Sequence, residues 1–257
     1  SRIFWYHSSV RVPACTARRY TASCSAGLIV ESLGSRPLFE ALSQGGTGFA
    51  SLNAARVARA VTRKPLIAKF EGAYHGSNDA VEFSTQKTSG PAEAPNTTAT
   101  WDGMPEGGEK NVVILPYNDR ESVELILRQH KDRMAAVFFD GRPGWYDMPL
   151  DFARFLRKIT AELGILLVFD EVITGFRLAF GGAQEFFGLK PDMAIFGKAP
   201  GGGLPLGIVA GRADIMEVFT RQFEIYDDIS AGMSPEPSVF TAGTFSGNPA
   251  SKNQKKL

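Results

Sequence analysis

Short apolar runs alternate with amphipathic segments along the chain from about residue 45 onwards. Runs that are almost entirely hydrophobic are typical of strands covered on both faces, and apolar residues at helical spacing are typical of helices packed on a sheet. Strands are predicted at 66–70, 112–115, 135–139, 165–169, 191–196 and 208–210, and helices at 52–61, 121–131, 151–163 and 213–219. This alternation, with short connections, predicts an α/β fold in which a mostly parallel sheet is flanked by helices.

Two predicted helices and one long connection carry local signals of their own. Asp119 is expected to cap the helix that follows it, and Gly164 to end the helix that begins at residue 151. The segment 85–110 is rich in Thr, Pro, Gly and Ala and shows little periodicity. It is predicted to be a long surface loop.

The composition limits what the protein can be. With 257 residues, of which 44% are hydrophobic, the chain can form one large α/β domain or two small ones. A formal net charge of +1 disfavours a nucleic-acid-binding protein, since such domains are usually strongly basic. No apolar run approaches the roughly 20 residues that span a bilayer, so no membrane association is expected. The two cysteines, Cys15 and Cys24, and the scattered histidines provide neither a disulfide framework nor a metal site.

The N-terminal segment differs in composition from the rest of the chain. Residues 1–30 contain no Asp or Glu, while arginines lie among Ser, Thr and Ala. This is typical of an organelle transit peptide, and a tail foreign to the domain is the alternative. We therefore expect a cytoplasmic protein, or a mitochondrial one if the segment is a transit peptide. The predicted organisation is an unmatched segment 1–44, a domain 45–250 and a polar tail 251–257.

Two polar side chains follow two of the predicted buried strands. Asp170 ends the run 165–169, and Lys198 follows the run 191–196 just before a cluster of three glycines. Ligands in parallel sheets bind beyond the carboxyl ends of the strands, where both residues fall. The carboxylate could hold the pyridine nitrogen of pyridoxal phosphate, and the lysine could form a Schiff base with its aldehyde. The apolar neighbours of Lys198 predict partial desolvation, which would favour the free amine.

Each of these residues has another interpretation when it is taken alone. A carboxylate at the end of an apolar strand needs a partner, and Asp170 could pair with an arginine such as Arg177 or cap a helix. Lys198 could extend its amine from the strand end into solvent.

Two further segments fit a phosphorylated, flat cofactor. The glycine-containing turn 45–48 leads into a helix and offers backbone N–H groups to a phosphate, although most such turns are only turns. Tyr74 and His75 directly follow a strand and could lay a ring on a flat ligand. Packing within the loop is the alternative for this pair.

A nucleotide-binding alternative is excluded by a missing motif. The run 166–171 also resembles the strand that holds magnesium in P-loop NTPases, which need G-x-x-x-x-G-K-[ST] upstream. The sequence contains no Gly-Lys-Ser or Gly-Lys-Thr. Its Gly-Lys pair, Gly197-Lys198, lies downstream of the run and is followed by Ala.

From about Gly46 to Pro249 the chain resembles the class III pyridoxal-phosphate aminotransferases, in particular the glutamate-1-semialdehyde 2,1-aminomutase-like transaminases. The number, order and spacing of the shared motifs make the resemblance specific. It implies the large domain of fold type I, without the C-terminal small domain, and a homodimer with active sites at the subunit interface. The motifs are Lys69–Gly76, Phe169–Arg177, Gly181–Gln184, Pro191-Asp192, Phe196–Lys198 with Gly201–Gly203, and Gly243–Pro249.

The resemblance also implies roles for the catalytic and ring-binding residues. Lys198 matches the lysine that forms the Schiff base and shuttles the proton, and Asp170 matches the partner of the pyridine nitrogen. Val172 matches the apolar residue packed on one face of the ring. Tyr74 matches the aromatic residue on the other face, with His75 beside it.

Three residues are implied to bind the phosphate of the cofactor. Thr47 and Gly48 fall where the family binds it through backbone amides, and Thr244 matches the threonine that reaches the phosphate of the neighbouring subunit. The family's Ser-Gly-Thr-Glu-Ala turn is Gly46-Thr-Gly-Phe-Ala50 here, so a hydroxyl and a glutamate are replaced. The usual Glu-Pro after the strand at 135–139 is Asp140-Gly141.

The resemblance therefore implies a transaminase that transfers an amino group between a small amino compound and a carbonyl acceptor through Lys198. Two alternatives remain at this point. A glutamate-1-semialdehyde aminomutase would keep the amino group on one substrate. Because the family's C-terminal domain is not matched, a truncated, non-catalytic cofactor-binding fragment is the other.

Overall fold

The described part of the chain forms a single sheet with helices on both faces. The computed structural model describes residues 39–44, 46–86, 89–141, 150–219, 238–239 and 241. The strands are β1 (Phe39–Gln44), β2 (Leu66–Phe70), β3 (Val112–Leu115), β4 (Met134–Phe139), β5 (Leu166–Asp170), β6 (Met193–Gly197) and β7 (Gly207–Arg212). They lie in the order β1-β7-β6-β5-β4-β2-β3.

The helices divide between the two faces. They are α1 (Thr47–Thr62), α2 (Arg120–His130), α3 (Leu150–Glu162), α4 (Ala183–Phe187) and α5 (Ala213–Met216), with 3-10 turns at Gly108–Asn111, Ala199–Gly201 and Glu217–Phe219. One apolar cluster joins α1 and α5 to the sheet, and another joins α2, α3 and α4 to its opposite face. Covering both faces explains why the strands are hydrophobic throughout. Within the part of the chain that the structure describes, no helix combines the length and apolar character needed to cross a membrane.

The predicted mostly parallel sheet flanked by helices is confirmed, with one strand reversed. β2 to β6 are parallel to one another, whereas β7 runs antiparallel to both β6 and β1. The connection from β6 to β7, residues 198–206, is shorter than the dozen or so residues that a parallel crossover needs. The chain therefore turns back beside β6.

The sheet begins before the domain boundary predicted at residue 45. Residues 39–44 were given no element in the sequence, yet they form the edge strand β1, paired with β7 from Phe39↔Arg212 to Gln44↔Gly207. The segment Phe-Glu-Ala-Leu-Ser-Gln has too few apolar residues to stand out as a buried strand. Backbone pairing to β7 holds it in the sheet instead.

Asp192 connects three elements at the amino-terminal end of β6. It is buried, and its Oδ2 accepts hydrogen bonds from Arg157 Nη1 of α3 at 2.8 Å and from the backbone N–H of Leu167 in β5 at 2.9 Å. Its Oδ1 accepts from Arg212 Nη1 of β7 at 2.8 Å. Both oxygens of this carboxylate are therefore used to fix α3, β5 and β7 relative to one another.

We expect Asp192→Ala to lower the free energy of unfolding by about 3–5 kcal/mol, because it leaves buried donors and a cation without their partner. Asp214→Ala is the matched control. Asp214 binds the same Arg212 at 2.6 Å but is exposed, so its loss should cost less than about 1 kcal/mol. Urea unfolding of the 257-residue chain measures both values, and equal losses would contradict the role given to Asp192.

Candidate active site

A cavity lies at the carboxyl ends of β4, β5 and β6. It encloses about 360 Å³, part of which is open to solvent. Six of the eight site residues predicted from the sequence line it: Thr47, Tyr74, His75, Asp170, Val172 and Lys198. Ser51, Gly76, Asp140 and Ile173 line it as well and were not predicted. Gly48 lies in the first turn of α1, and Thr244 falls outside the described residues.

Asp170 is buried at the end of β5 and is held by two donors. Its Oδ2 lies 2.7 Å from Nδ1 of the buried His75, and its Oδ1 accepts from the backbone N–H of Val172 at 3.0 Å. The expected alternative partner, Arg177, instead donates to the carbonyl of Ile173. The sequence placed His75 beside Tyr74 but gave no sign of this contact, since 95 residues separate His75 and Asp170.

The contact with His75 depends on the loop after β2. The His75 ring packs edge-on against Phe138 of β4, with ring centroids 5.6 Å apart. Gly76 follows with φ +95°, a conformation that favours glycine. The loop can therefore turn sharply and bring the imidazole over the end of β5.

Lys198 leaves β6 in an uncommon backbone conformation. Its φ of 56° and ψ of −94° lie outside the regions that L-residues usually occupy, so surrounding structure must hold it there. Its side chain lines the cavity but is exposed. The exposure of Lys198 differs from the partial desolvation predicted from its apolar sequence neighbours, because Phe196 and Gly197 are buried in β6 while Lys198 is not.

Three glycines, Gly76, Gly197 and Gly207, allow the start of α1 to lie close to the cavity. A Cβ on Gly76 would lie 2.7 Å from the Cα of Gly48, and a Cβ on Gly197 would overlap the side chain of Thr47. A Cβ on Gly207 of β7 would likewise overlap the carbonyl before the helix. The first turn of α1 thus packs directly on the main chain of β6, β7 and the loop after β2.

The N-terminus of α1 carries an unneutralised partial positive charge. Its cap residue, Gly46, makes no side-chain capping bond, and its first turn contains no acidic residue. The helix dipole places partial positive charge at this end, and the first-turn amides point along the axis. Phe49 stands where the resemblance led us to expect glutamate, so this end is open to an anion on electrostatic grounds.

Glu171 connects two of the sequence motifs, 169–177 and Gly181–Gln184, through its hydrogen bonds. Its buried carboxylate accepts from the hydroxyl of Thr174 and from the backbone N–H groups of Ala183 and Gln184, both at 2.8 Å, which begin α4. Burial raises the pKa of Glu171, and these donors oppose the rise. A Cβ on Gly182 would overlap this carboxylate, so the glycine leaves room for it.

Comparison with known proteins identifies the family. The model of the Aminotransferase class-III family matches residues 40–253. The glutamate-1-semialdehyde 2,1-aminomutase of Methanococcus maripaludis strain C5 is 43% identical over 206 residues, covering 79% of this chain and 44% of that protein. That of Methanocaldococcus jannaschii is 42% identical over 205 residues, with the same coverage. The chain spans less than half the length of these relatives.

Solved structures give the same result. An omega-transaminase from Sphaerobacter thermophilus superimposes with a TM-score of 0.76 at 35% identity, over 96% of this chain and 53% of that chain. A structure described as a transaminase with PLP bound gives a TM-score of 0.72 at 31% identity, with the same coverage. The fold is that of the fold type I transferases. The chain belongs to the class III aminotransferases, as its motifs predicted.

We expect Gly182→Ala to destabilise the chain by about 2 kcal/mol or more, because it adds a clash with Glu171 to the strain of a positive φ. Gly188→Ala is the matched control at the other end of α4. Gly188 has φ +65° but open space around it, so strain alone should cost about 1 kcal/mol. Thermal unfolding compares the two, and a Gly182→Ala variant no less stable than Gly188→Ala would refute the clash.

Proposed function

We propose that this cavity binds pyridoxal 5'-phosphate and that the protein is an aminotransferase. It would transfer an amino group between a small amino compound and a carbonyl acceptor. The observation that supports this most is the convergence of Asp170 and Lys198 on one cavity from the ends of adjacent strands. A buried carboxylate and an accessible primary amine are the two groups that this cofactor chemistry needs.

The residues of the cavity fit the cofactor on three grounds. The Asp170 carboxylate is buried, which favours a cationic partner such as a protonated pyridine nitrogen. The open N-terminus of α1, through the amides of Thr47 and Gly48, suits a phosphate group. Tyr74 is half exposed and Val172 is buried at the cavity wall, so both can contact a flat ring.

Pyridoxal phosphate, when bound, supplies an aldehyde that condenses with amines and a ring that withdraws electrons from the reacting carbon. Lys198 contributes the nucleophilic amine, and its Nζ accepts and returns the proton that the transfer requires. Asp170 would hold the pyridine nitrogen of the cofactor and, by its charge, favour the protonated form of that nitrogen. His75 orients that carboxylate through the 2.7 Å contact.

The remaining expectations belong to the same proposal. Thr244 would contact the phosphate in the neighbouring subunit of a homodimer, and both ideas rest on the resemblance alone. The partners proposed are small amino and keto compounds. The cytoplasmic or mitochondrial location also stays a prediction, since residues 1–30 lie outside the described part of the chain.

A second candidate is an aminomutase, which returns the amino group to another carbon of the same substrate. It is favoured by the curated relatives at 42–43% identity, which carry that name. Incubation with an unlabelled acceptor and an amino donor labelled with heavy nitrogen separates the two. A transaminase places the label on the acceptor, whereas an aminomutase keeps it on the molecule that was supplied.

We expect the 257-residue chain to develop a visible absorption band when it is mixed with pyridoxal phosphate, because the cofactor attaches to Lys198. Borohydride reduction should then fix the label on the peptide that contains Lys198, as mass spectrometry can show. Lys198→Ala should abolish both signals. The control is Lys64→Ala, which removes a partly exposed lysine outside the cavity whose Nζ donates to the carbonyl of Lys131. A label that persists in Lys198→Ala would rule out the assignment of the lysine.

We expect Asp170→Asn to weaken binding of the cofactor about ten- to hundredfold, since a hydrogen bond to a charged group contributes about 1.5–3 kcal/mol. Titration followed by absorbance measures the affinity. Asp140→Asn is the matched control, because Asp140 is a buried carboxylate at the end of the adjacent strand β4 and lines the same cavity. If the two variants lose affinity equally, the ring nitrogen is not the specific partner of Asp170.

A further inference from the structure

Lys69 is a buried lysine that the proposed chemistry does not use. It lies in β2, its side chain is completely buried, and its neighbours on the adjacent strands are Ile114 of β3 and Phe138 of β4. Lysine is almost never fully buried unless its amine is paired. The partners of this amine therefore indicate why it is there.

The amine of Lys69 joins two distant points of one loop. Its Nζ lies 2.5 Å from the carbonyl oxygen of Ala73 and 2.5 Å from that of Phe83. A third contact, at 3.3 Å, is to the hydroxyl of Thr85. We call the segment 71–85 the cavity loop, since it leaves the end of β2 and contains the cavity-lining residues 74–76.

The two bridged points enclose the functional part of the cavity loop. Ala73 directly precedes Tyr74 and His75, and Phe83 lies near its far end. A backbone hydrogen bond from Gly72 to the carbonyl of Ser84, at 2.8 Å, closes the same ends. Movement of either end would carry His75 away from Asp170.

We propose that Lys69 is a positioning residue whose buried amine holds the cavity loop closed and so keeps Tyr74 and His75 at the cavity. The importance of those two residues rests on the proposed function of the site. The bridging role itself rests on the contacts of Lys69.

The partners of Lys69 are all oxygen acceptors. The two carbonyl oxygens can accept from either form of the amine, and the Thr85 hydroxyl accepts a third hydrogen bond when the amine is protonated. Burial lowers the pKa of Lys69 to about 7, and the negative charge of Glu82 partly opposes this. The neighbours on the flanking strands are apolar. Near neutral pH the amine thus titrates while the loop is closed.

The direction of the pH effect follows from proton linkage. When the loop opens, the amine is solvated and its pKa returns towards 10.5. At pH values between about 7 and 10.5, the open loop binds more protons than the closed loop. The closed loop therefore becomes more stable as pH rises through this window, by at most about tenfold per pH unit.

Hydrogen exchange of the 257-residue chain, measured by mass spectrometry on peptides from 71–85, tests the proposal without needing activity. After correction for intrinsic exchange rates, we expect protection to increase as pH rises above about 7. Lys69→Met, which keeps an unbranched side chain of similar length, should expose the loop and remove this pH dependence. It should also weaken binding of pyridoxal phosphate by roughly tenfold, the effect of buried groups left without a hydrogen bond.

Two further variants keep the test decisive. Leu127→Ala destabilises α2 on the opposite face of the sheet, where Leu127 is completely buried. In Leu127→Ala, the protection of the cavity loop should keep the same pH dependence as in the unsubstituted protein. Thr85→Val removes only the hydroxyl that accepts from the amine and so favours its protonated form, and the rise in protection should therefore begin at lower pH. If Lys69→Met does not fold, Thr85→Val still tests the role of Lys69.

The outcomes separate this proposal from the proposed function. If loop exchange in Lys69→Met keeps the pH dependence of the parent, or if Thr85→Val leaves its midpoint unchanged, Lys69 does not hold the loop. If the parent binds no pyridoxal phosphate, the proposed function fails. The exchange measurements still decide the role of Lys69 in that case.

Discussion

The contact between Asp170 and His75 is the interaction on which the organisation of the cavity depends. A carboxylate at the end of an apolar strand is costly unless donors surround it, and here an imidazole supplied by a loop 95 residues earlier in the chain provides one of them. The buried carboxylate and the loop after β2 depend on each other. Asp170 is tolerated because the loop after β2 closes over it, and that closure brings Tyr74 to the same cavity. The glycine at position 76 and the amine of Lys69 are the local means by which the loop reaches that position.

Three buried carboxylates at the ends of β5 and β6 solve the same problem in different ways. Asp170 takes a side-chain ring and a backbone N–H, and faces the cavity. Glu171 takes a hydroxyl and the first amides of α4, and ties down the loop that follows β5. Asp192 takes two arginines and a strand amide, and connects helix to sheet. The adjacent residues Asp170 and Glu171 thus differ in their surroundings, since Asp170 lines the cavity whereas Glu171, like Asp192, is engaged by the chain itself.

Regular elements could be predicted because their signals are local. The buried strands from β2 to β6 are mostly apolar, and Asp119 does cap α2, accepting from the backbone N–H of Ser122 at 3.0 Å. β1 was missed because an edge strand held by backbone pairing needs no apolar run, and the short helix α4 because its start depends on Glu171. The convergence of Asp170 and Lys198 could be predicted from strand order, since parallel strands bring their carboxyl ends together. The contact with His75 and the exposure of Lys198 could not, because both depend on the path of loops.

The close approach of α1 to the sheet has a consequence for how this cavity can vary. Where Gly48 meets Gly76, one wall is built from main-chain atoms, and where Thr47 meets Gly197 the Thr47 side chain packs directly on the main chain of the strand. Its shape is set by the fold itself, so mutation there can damage the wall but cannot remodel it. The size of the cavity can change more readily at its rim, where an exposed side chain such as Ile173 can be replaced without disturbing the frame.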